Sequence, residues 1–182
     1  MTSDEITLIK EIQKGEYESF TYLYEKYFKK VFTYILLKAN WNTSIAEDIT
    51  ATTFMKAFEN INKFSIDKNN SSFIARLYNI AYHAFLDEKK YDSNEYVTSK
   101  DSLSSNIDYT EYFQTNIQTE LILKYLEELW SNKKDLFILR IRENLSYDEI
   151  ANILWKRSST CRKDFSKLIK KLAVHFKHFI DD

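Results

Sequence analysis

The 182-residue chain contains one glycine, no proline and one cysteine. Average usage over this length would supply roughly 13 glycines and 9 prolines, so nearly every residue that punctuates hairpins and tight turns is missing. That shortage predicts an all-helical fold. It also excludes chemistry built on glycine loops, because Gly15 alone makes neither a phosphate-cradling loop nor a dinucleotide fingerprint. The lone Cys161 closes no internal disulfide, and no apolar run approaches the roughly 18 residues that a membrane span needs. Met1 to Lys10 carries acids and a polar first turn where a signal peptide has basic and then apolar residues. A soluble cytoplasmic protein without membrane insertion is expected.

The net charge of −1 conceals an uneven distribution. Residues 1–90 carry 12 basic and 12 acidic groups, residues 91–118 carry 1 and 5, residues 119–155 carry 5 and 7, and residues 156–182 carry 8 and 3. A basic end behind an acidic middle points to a polyanion partner for one end only.

Phe20, Leu23, Tyr24, Tyr27, Val31, Tyr34 and Ile35 recur with helical periodicity and mark a long amphipathic helix. A shorter helix through Ile6, Ile9 and Ile12 precedes it and ends near Gly15. Ser44, with Glu47 three residues on, reads as a capping box. It would open a third helix that buries Ala46, Ile49, Thr53 and Ala57, with Phe54, Phe58 and Ile61 beside them. Asn60 to Ser72 reads as a loop, and a fourth helix follows through Phe73 or Ile74, Leu77, Ala81, Ala84 and Phe85 to about Lys90. Residues 91–118, rich in serine, asparagine and aspartate, read as a flexible acidic linker between domains at 1–90 and 119–182.

Beyond the linker, Leu121, Ile122, Tyr125, Leu126 and Leu129 mark one helix, and Leu136, Leu139 and Ile141 another. Ser146 and Glu149 form a second capping-box pattern, opening a short helix through Ile150, Ala151 and Ile153. Ser158 to Thr160 starts a last helix with Cys161, Phe165, Leu168 and Leu172 inside. Two short helices joined by a tight turn, the second one basic, form a helix-turn-helix pattern.

Candidates for catalysis are few. His175 and His178 lack a third ligand at metal-binding spacing and read as surface or packing residues. Cys161 reads as a small apolar side chain in a packed position rather than a reactive thiol. The last helix carries the clearest signal: Lys156, Arg157, Arg162, Lys163, Lys167, Lys170 and Lys171 recur along it while apolar residues hold the other face. Phe64, Tyr78 and Tyr82 stand apart from the apolar stripes, near Lys63, Lys68 and Arg76. That mixture of rings and cations is expected to stack unpaired bases and hold phosphates.

Several stretches resemble the extracytoplasmic-function (ECF) sigma factors, the small two-domain members of the sigma-70 family. Gly15 to Phe20 with Leu23-Tyr24 is similar to the family's opening, and Ala46 to Thr50 with Thr53-Phe54 and Lys56-Ala57 to its segment that docks on RNA polymerase. Phe73, Leu77-Tyr78, Ile80-Ala81 and Asp87 resemble the helix that reads the −10 promoter element. Leu145 to Ala151 and Thr160 to Leu172 resemble the helix-turn-helix that reads the −35 element. Departures occur at Ala51-Thr52 in place of Gln-Glu, Arg76 in place of tryptophan, His83 in place of asparagine and Lys90 in place of arginine. Trp155 replaces the turn glycine, and Asp164 stands where a basic residue is common.

The resemblance implies a sigma factor that is not an enzyme, needs neither cofactor nor metal, and has core RNA polymerase and promoter DNA as partners. It leaves open an anti-sigma protein as a further one. On it, Thr160, Arg162 and Lys163 would meet base edges at −35, with Lys156, Arg157, Lys167 and Lys170 on phosphates. Lys63, Phe64, Arg76, Tyr78, Asn79, Tyr82, His83 and Lys90 would hold the −10 strand, and Asp48, Ile49 and Phe54 would bind core polymerase. The residues alone also allow a helix-turn-helix transcriptional regulator without sigma activity.

Overall fold

A helix whose first backbone amides are capped by the preceding residue begins the chain. In the computed structural model, which describes residues 2–65, 72–91 and 131–176, the Glu5 amide donates to Thr2 Oγ1 (3.4 Å) and the Thr2 amide to Glu5 Oε2 (2.9 Å). This reciprocal cap opens α1 (Ser3–Gln13), with Asp4 and Glu5 at the positive end of its dipole. The helix ends at Gly15, whose φ of +103° is a backbone conformation that glycine adopts without strain.

Helix α2 (Ser19–Lys38) is the central element of the first unit. Its N-terminal half buries only Leu23 and Tyr27, but every residue from Val31 to Leu37 is buried. A helix apolar on all sides has neighbours all round, and α2 packs against α1, α3 (Thr43–Glu59) and α4 (Phe73–Tyr91), while α3 also packs against α4. The core between them holds Tyr34 edge-on to Tyr78 (5.1 Å between centroids) and Tyr27 against Phe73 (6.0 Å). Between α3 and α4 a 3-10 turn, Ile61–Lys63, tucks Ile61 inward. Gln13 Nε2 donates to the carbonyls of Ile61 (2.9 Å) and Phe64 (2.8 Å), tying the end of α1 to that turn.

The capping box expected at Ser44 and Glu47 does not form. Asn40 and Trp41 both take left-handed backbone (φ 51° and 66°), which delivers Asn42 in an extended conformation. Asn42 Oδ1 then accepts from the Ile45 amide (3.1 Å), the helix begins at Thr43, and Ser44 is left exposed inside its first turn.

The second unit contains α5 (Ser131–Phe137), a π-helical turn (Ile138–Arg142), α6 (Tyr147–Leu154) and α7 (Ser158–His175). Leu136 and Leu139 are buried as expected, but Ile141 is 54% exposed. A π turn takes more residues per turn than an α-helix, so it rotates Ile141 out of the stripe that α-helical spacing predicts. Helix α7 packs on both α5 and α6. The chain divides into two compact units, 1–108 and 109–182, and the described residues are all-α with no strand among them. The expected linker and the helix expected at Leu121 to Leu129 lie outside the described residues.

Glu5 anchors α1 to α2. Its carboxylate is buried, accepts from the Tyr27 hydroxyl and lies 2.8 Å from Lys26 Nζ. Burial pushes its pKa up, but the Lys26 ion pair and the Thr2 amide outweigh that effect and hold it below the usual carboxylate value. A carboxyl depressed in the folded state contributes stability that is present above about pH 4.3 and lost as pH falls through its folded value. Glu5→Gln is therefore predicted to cost about 1–3 kcal/mol at neutral pH. It should also flatten the acid limb of the stability profile, both read by urea unfolding across pH 3 to 7.

Candidate nucleic-acid interface

The helix-turn-helix of the second unit is built by local signals. Ser146 Oγ accepts from the Glu149 amide (3.2 Å) and the Ser146 amide donates to Glu149 Oε2 (2.9 Å), the reciprocal cap that the sequence predicts. Helix α6 buries Ile150, Ala151, Ile153 and Leu154. It stops at Trp155, whose left-handed backbone (φ 52°, ψ 45°) lets the amides of Trp155 and Lys156 both donate to the Ala151 carbonyl. A residue with a Cβ in that conformation costs roughly 1–2 kcal/mol. The chain then extends at Arg157, whose carbonyl accepts from the amides of Thr160 (2.9 Å) and Cys161 (3.0 Å) to begin α7.

Helix α7 buries Cys161, Leu168 and Leu172. Thr160, Lys163, Lys167 and Lys170 are exposed, and their spacing puts them on one stripe of the opposite surface. Arg162 is also exposed but lies about a third of a turn away. Its guanidinium sits 5.3 Å from the Tyr147 ring centroid, on a ring that also carries Arg140 at 4.7 Å. Arg140 in turn donates to the Leu145 carbonyl (2.7 Å), so Tyr147 clamps two cations where α6 starts. Arg157 is exposed, whereas Lys156 is half-buried with Nζ 3.5 Å from Asp164 Oδ2. Asp164, unexpected on a basic helix, is thus the partner of Lys156.

In the first unit the expected −10 set does not share a face. Arg76 is exposed and Asn79 and His83 are half-buried along one stripe of α4. Tyr78 and Tyr82 project from the other side of the helix, Tyr78 with 0% exposure against Tyr34 and Tyr82 buried beneath Lys38, whose Nζ stands 4.5 Å from its ring centroid. Two residues beyond Arg76, Tyr78 is rotated about 200° around the helix, so both tyrosines are core residues and not stacking platforms. Phe64 is half-buried, edge-on to Phe73 at 5.7 Å, and Lys63 is exposed with Nζ 3.1 Å from Asn60 Oδ1. Lys68 and the side chain of Lys90 lie outside the described residues, as does His178.

Of the three residues expected to bind polymerase, only Asp48 is exposed. Ile49 and Phe54 are 4% and 3% exposed and belong to the bundle interior. Phe54 packs against Tyr24 (4.8 Å between centroids) and Phe20 (6.5 Å). Sequence reading missed the surface next to it. Phe58, expected inside, is exposed against Tyr17 (5.5 Å) and Phe20 (5.0 Å), and Met55 and Tyr24 extend the same apolar surface. The available signal was a second stripe on α2, Phe20, Tyr24 and Phe28, beside the buried Leu23, Tyr27 and Val31.

Fold and site together define a helix-turn-helix protein that carries a separate helical bundle. No family model matches the chain. It is 29% identical over 142 residues to the RNA polymerase sigma factor YlaC of Bacillus subtilis (strain 168), covering 75% of this chain and 80% of the relative. It is 27% identical over 135 residues to the ECF RNA polymerase sigma factor SigM of the same organism, covering 72% and 79%. To the ECF RNA polymerase sigma factor BldN of Streptomyces coelicolor it is 25% identical over 172 residues, covering 91% of this chain and 63% of the relative. Over most of its length the chain is thus similar to RNA polymerase sigma factors, two of them of the ECF type.

Cys161 is fully buried, and burial, reinforced by Asp164, pushes its thiol pKa up despite the opposing charge of Lys156. The thiol stays protonated and inaccessible in the folded protein. Labelling with iodoacetamide at mildly alkaline pH should be slow until urea unfolds the second unit, and rapid labelling of the native chain would contradict this packing.

Proposed function

We propose that the chain is an RNA polymerase sigma factor that joins core polymerase in the cytoplasm and directs promoter-specific initiation. The observation that carries this reading is the exposed basic stripe of α7 behind a capped helix-turn-helix, in a chain similar to sigma factors over most of its length. Helix α7 enters the major groove of the −35 element, with Thr160 and Lys163 at base edges and Lys167 and Lys170 on phosphates. Arg162, held against Tyr147, approaches the flank of the same site, and Arg157 precedes it on the backbone.

In the first unit, Arg76, Asn79 and His83 form the stripe of α4 that meets the melted −10 strand, with Lys63 and Phe64 at its edge. Unpaired bases stack on rings and phosphates pair with cations, and Phe64 is the ring available here. Core polymerase docks on the exposed face of α3 through Asp48 and the adjoining Met55 and Phe58. Apolar side chains exposed in a group beside a charged one are what a protein interface uses. The first unit, with its balanced charge, binds the melted strand only as part of the polymerase complex.

The test is transcription of a genomic fragment library by purified core polymerase with and without the chain. Co-elution with core and new promoter-specific transcripts are expected. Failure of both would overturn the proposal, and tight specific duplex binding by the chain alone would favour a conventional regulator. On a promoter so identified, Lys167→Ala with Lys170→Ala should lower the salt slope of holoenzyme binding by about two units. An unchanged slope would remove these lysines from the phosphate contacts.

A further inference from the structure

Trp155 is 81% exposed and takes left-handed backbone in the helix-turn-helix turn, where glycine or asparagine fits without strain. Most of this large aromatic side chain lies outside the core, and its backbone conformation costs stability. A residue that is strained and mostly exposed points to a role outside the fold. Trp155 is followed by Lys156 and Arg157 and lies three residues before Ser158, the first residue of α7. At no more than about 3.5 Å per residue, its Cα lies within roughly 10 Å of the start of that helix. In helix-turn-helix complexes the N-terminal residues of the second helix reach base edges, which sets the preceding turn at the mouth of the groove.

We propose that Trp155 is a duplex-DNA contact that lays its indole against the sugar-phosphate backbone beside the −35 site and donates Nε1–H to a phosphate oxygen. The chemistry of the residue fits that occupant. Indole nitrogen is a donor only, phosphate oxygens are acceptors only, and the flat apolar ring matches a deoxyribose face. The cations that follow it in sequence, with the α7 stripe, set the sign of the partner. This inference rests on the sigma-factor reading of α7.

Two measurements on the full chain test it, using a short random-sequence duplex at low salt as the probe. Trp155→Gly should raise the melting temperature, because glycine takes the left-handed backbone freely, and should weaken duplex binding about fivefold, the equivalent of one hydrogen bond or apolar contact. Trp155→Asn, which also tolerates that backbone, should do the same. In a chain with Trp41→Phe and Trp130→Phe, the remaining indole should be open to acrylamide quenching when free and shielded once duplex is added. Lys163→Ala with Lys167→Ala serves as the reference. If that pair weakens binding while Trp155→Gly does not, or the indole stays open to quencher in the complex, the role of Trp155 is overturned and that of α7 stands. If neither variant weakens binding, α7 itself is not the DNA-reading helix and both fall.

Discussion

Helices that stop sharply need left-handed backbone, and this chain has one glycine with which to supply it. Among the described residues five have positive φ, and only Gly15 is glycine. Asn40, Trp41, Asn144 and Trp155 take the same conformation with a side chain attached. The two asparagines tolerate it, but the tryptophans do so at a cost that the rest of each unit has to offset. Four helix starts depend on side-chain oxygens: Thr2, Asn42, Ser72 and Ser146 each accept an early amide of the helix that follows. Removing a cap from such a chain leaves it few other ways to begin a helix.

Helix α2 is the pillar of the first unit because α1, α3 and α4 all pack on it. Its C-terminal half is enclosed, which fixes α3 and α4 relative to it, while its N-terminal half is covered along a narrower strip. The outward surfaces of α3 and α4 are consequently held on a rigid base. In the second unit a shorter stretch does similar work: Arg140 reaches from the π turn to both the Leu145 carbonyl and the Tyr147 ring, joining α5 to the first turn of α6. The packed helices supply position, and the exposed side chains supply chemistry.

Much of this was legible in the residues. The stripes of α1, α2, α4 and α7, the Ser146–Glu149 cap and the basic exposed side of α7 follow from helical spacing and cap chemistry. The failures have specific causes. Ser44 lost its role because two left-handed residues moved the helix start upstream, which no local propensity foretells. Ile141 left the core because a π turn altered the period. Ile49 and Phe54 were assigned to recognition by resemblance to a motif, and Tyr78 and Tyr82 by their nearness in sequence to Lys63 and Arg76; neither signal separates residues that touch a partner from residues that hold the helix in place. Phe58 and Tyr24 escaped notice for the opposite reason, since an apolar arc wider than the neighbouring helices cover still looks like core in one dimension.

The pairing of Lys156 with Asp164 changes how the charge of the second unit should be counted. A carboxylate beside a lysine occupies the position that a phosphate oxygen would otherwise fill, so it acts as a tethered competitor for any polyanion. On the proposed function, Lys156 would exchange one anion for another on binding DNA and release fewer counterions than an unpaired lysine. The same carboxylate repels backbones that approach without a compensating contact elsewhere. On the same reading, Asp164 would lower indiscriminate adhesion to nucleic acid and leave discrimination to the exposed side chains of α7.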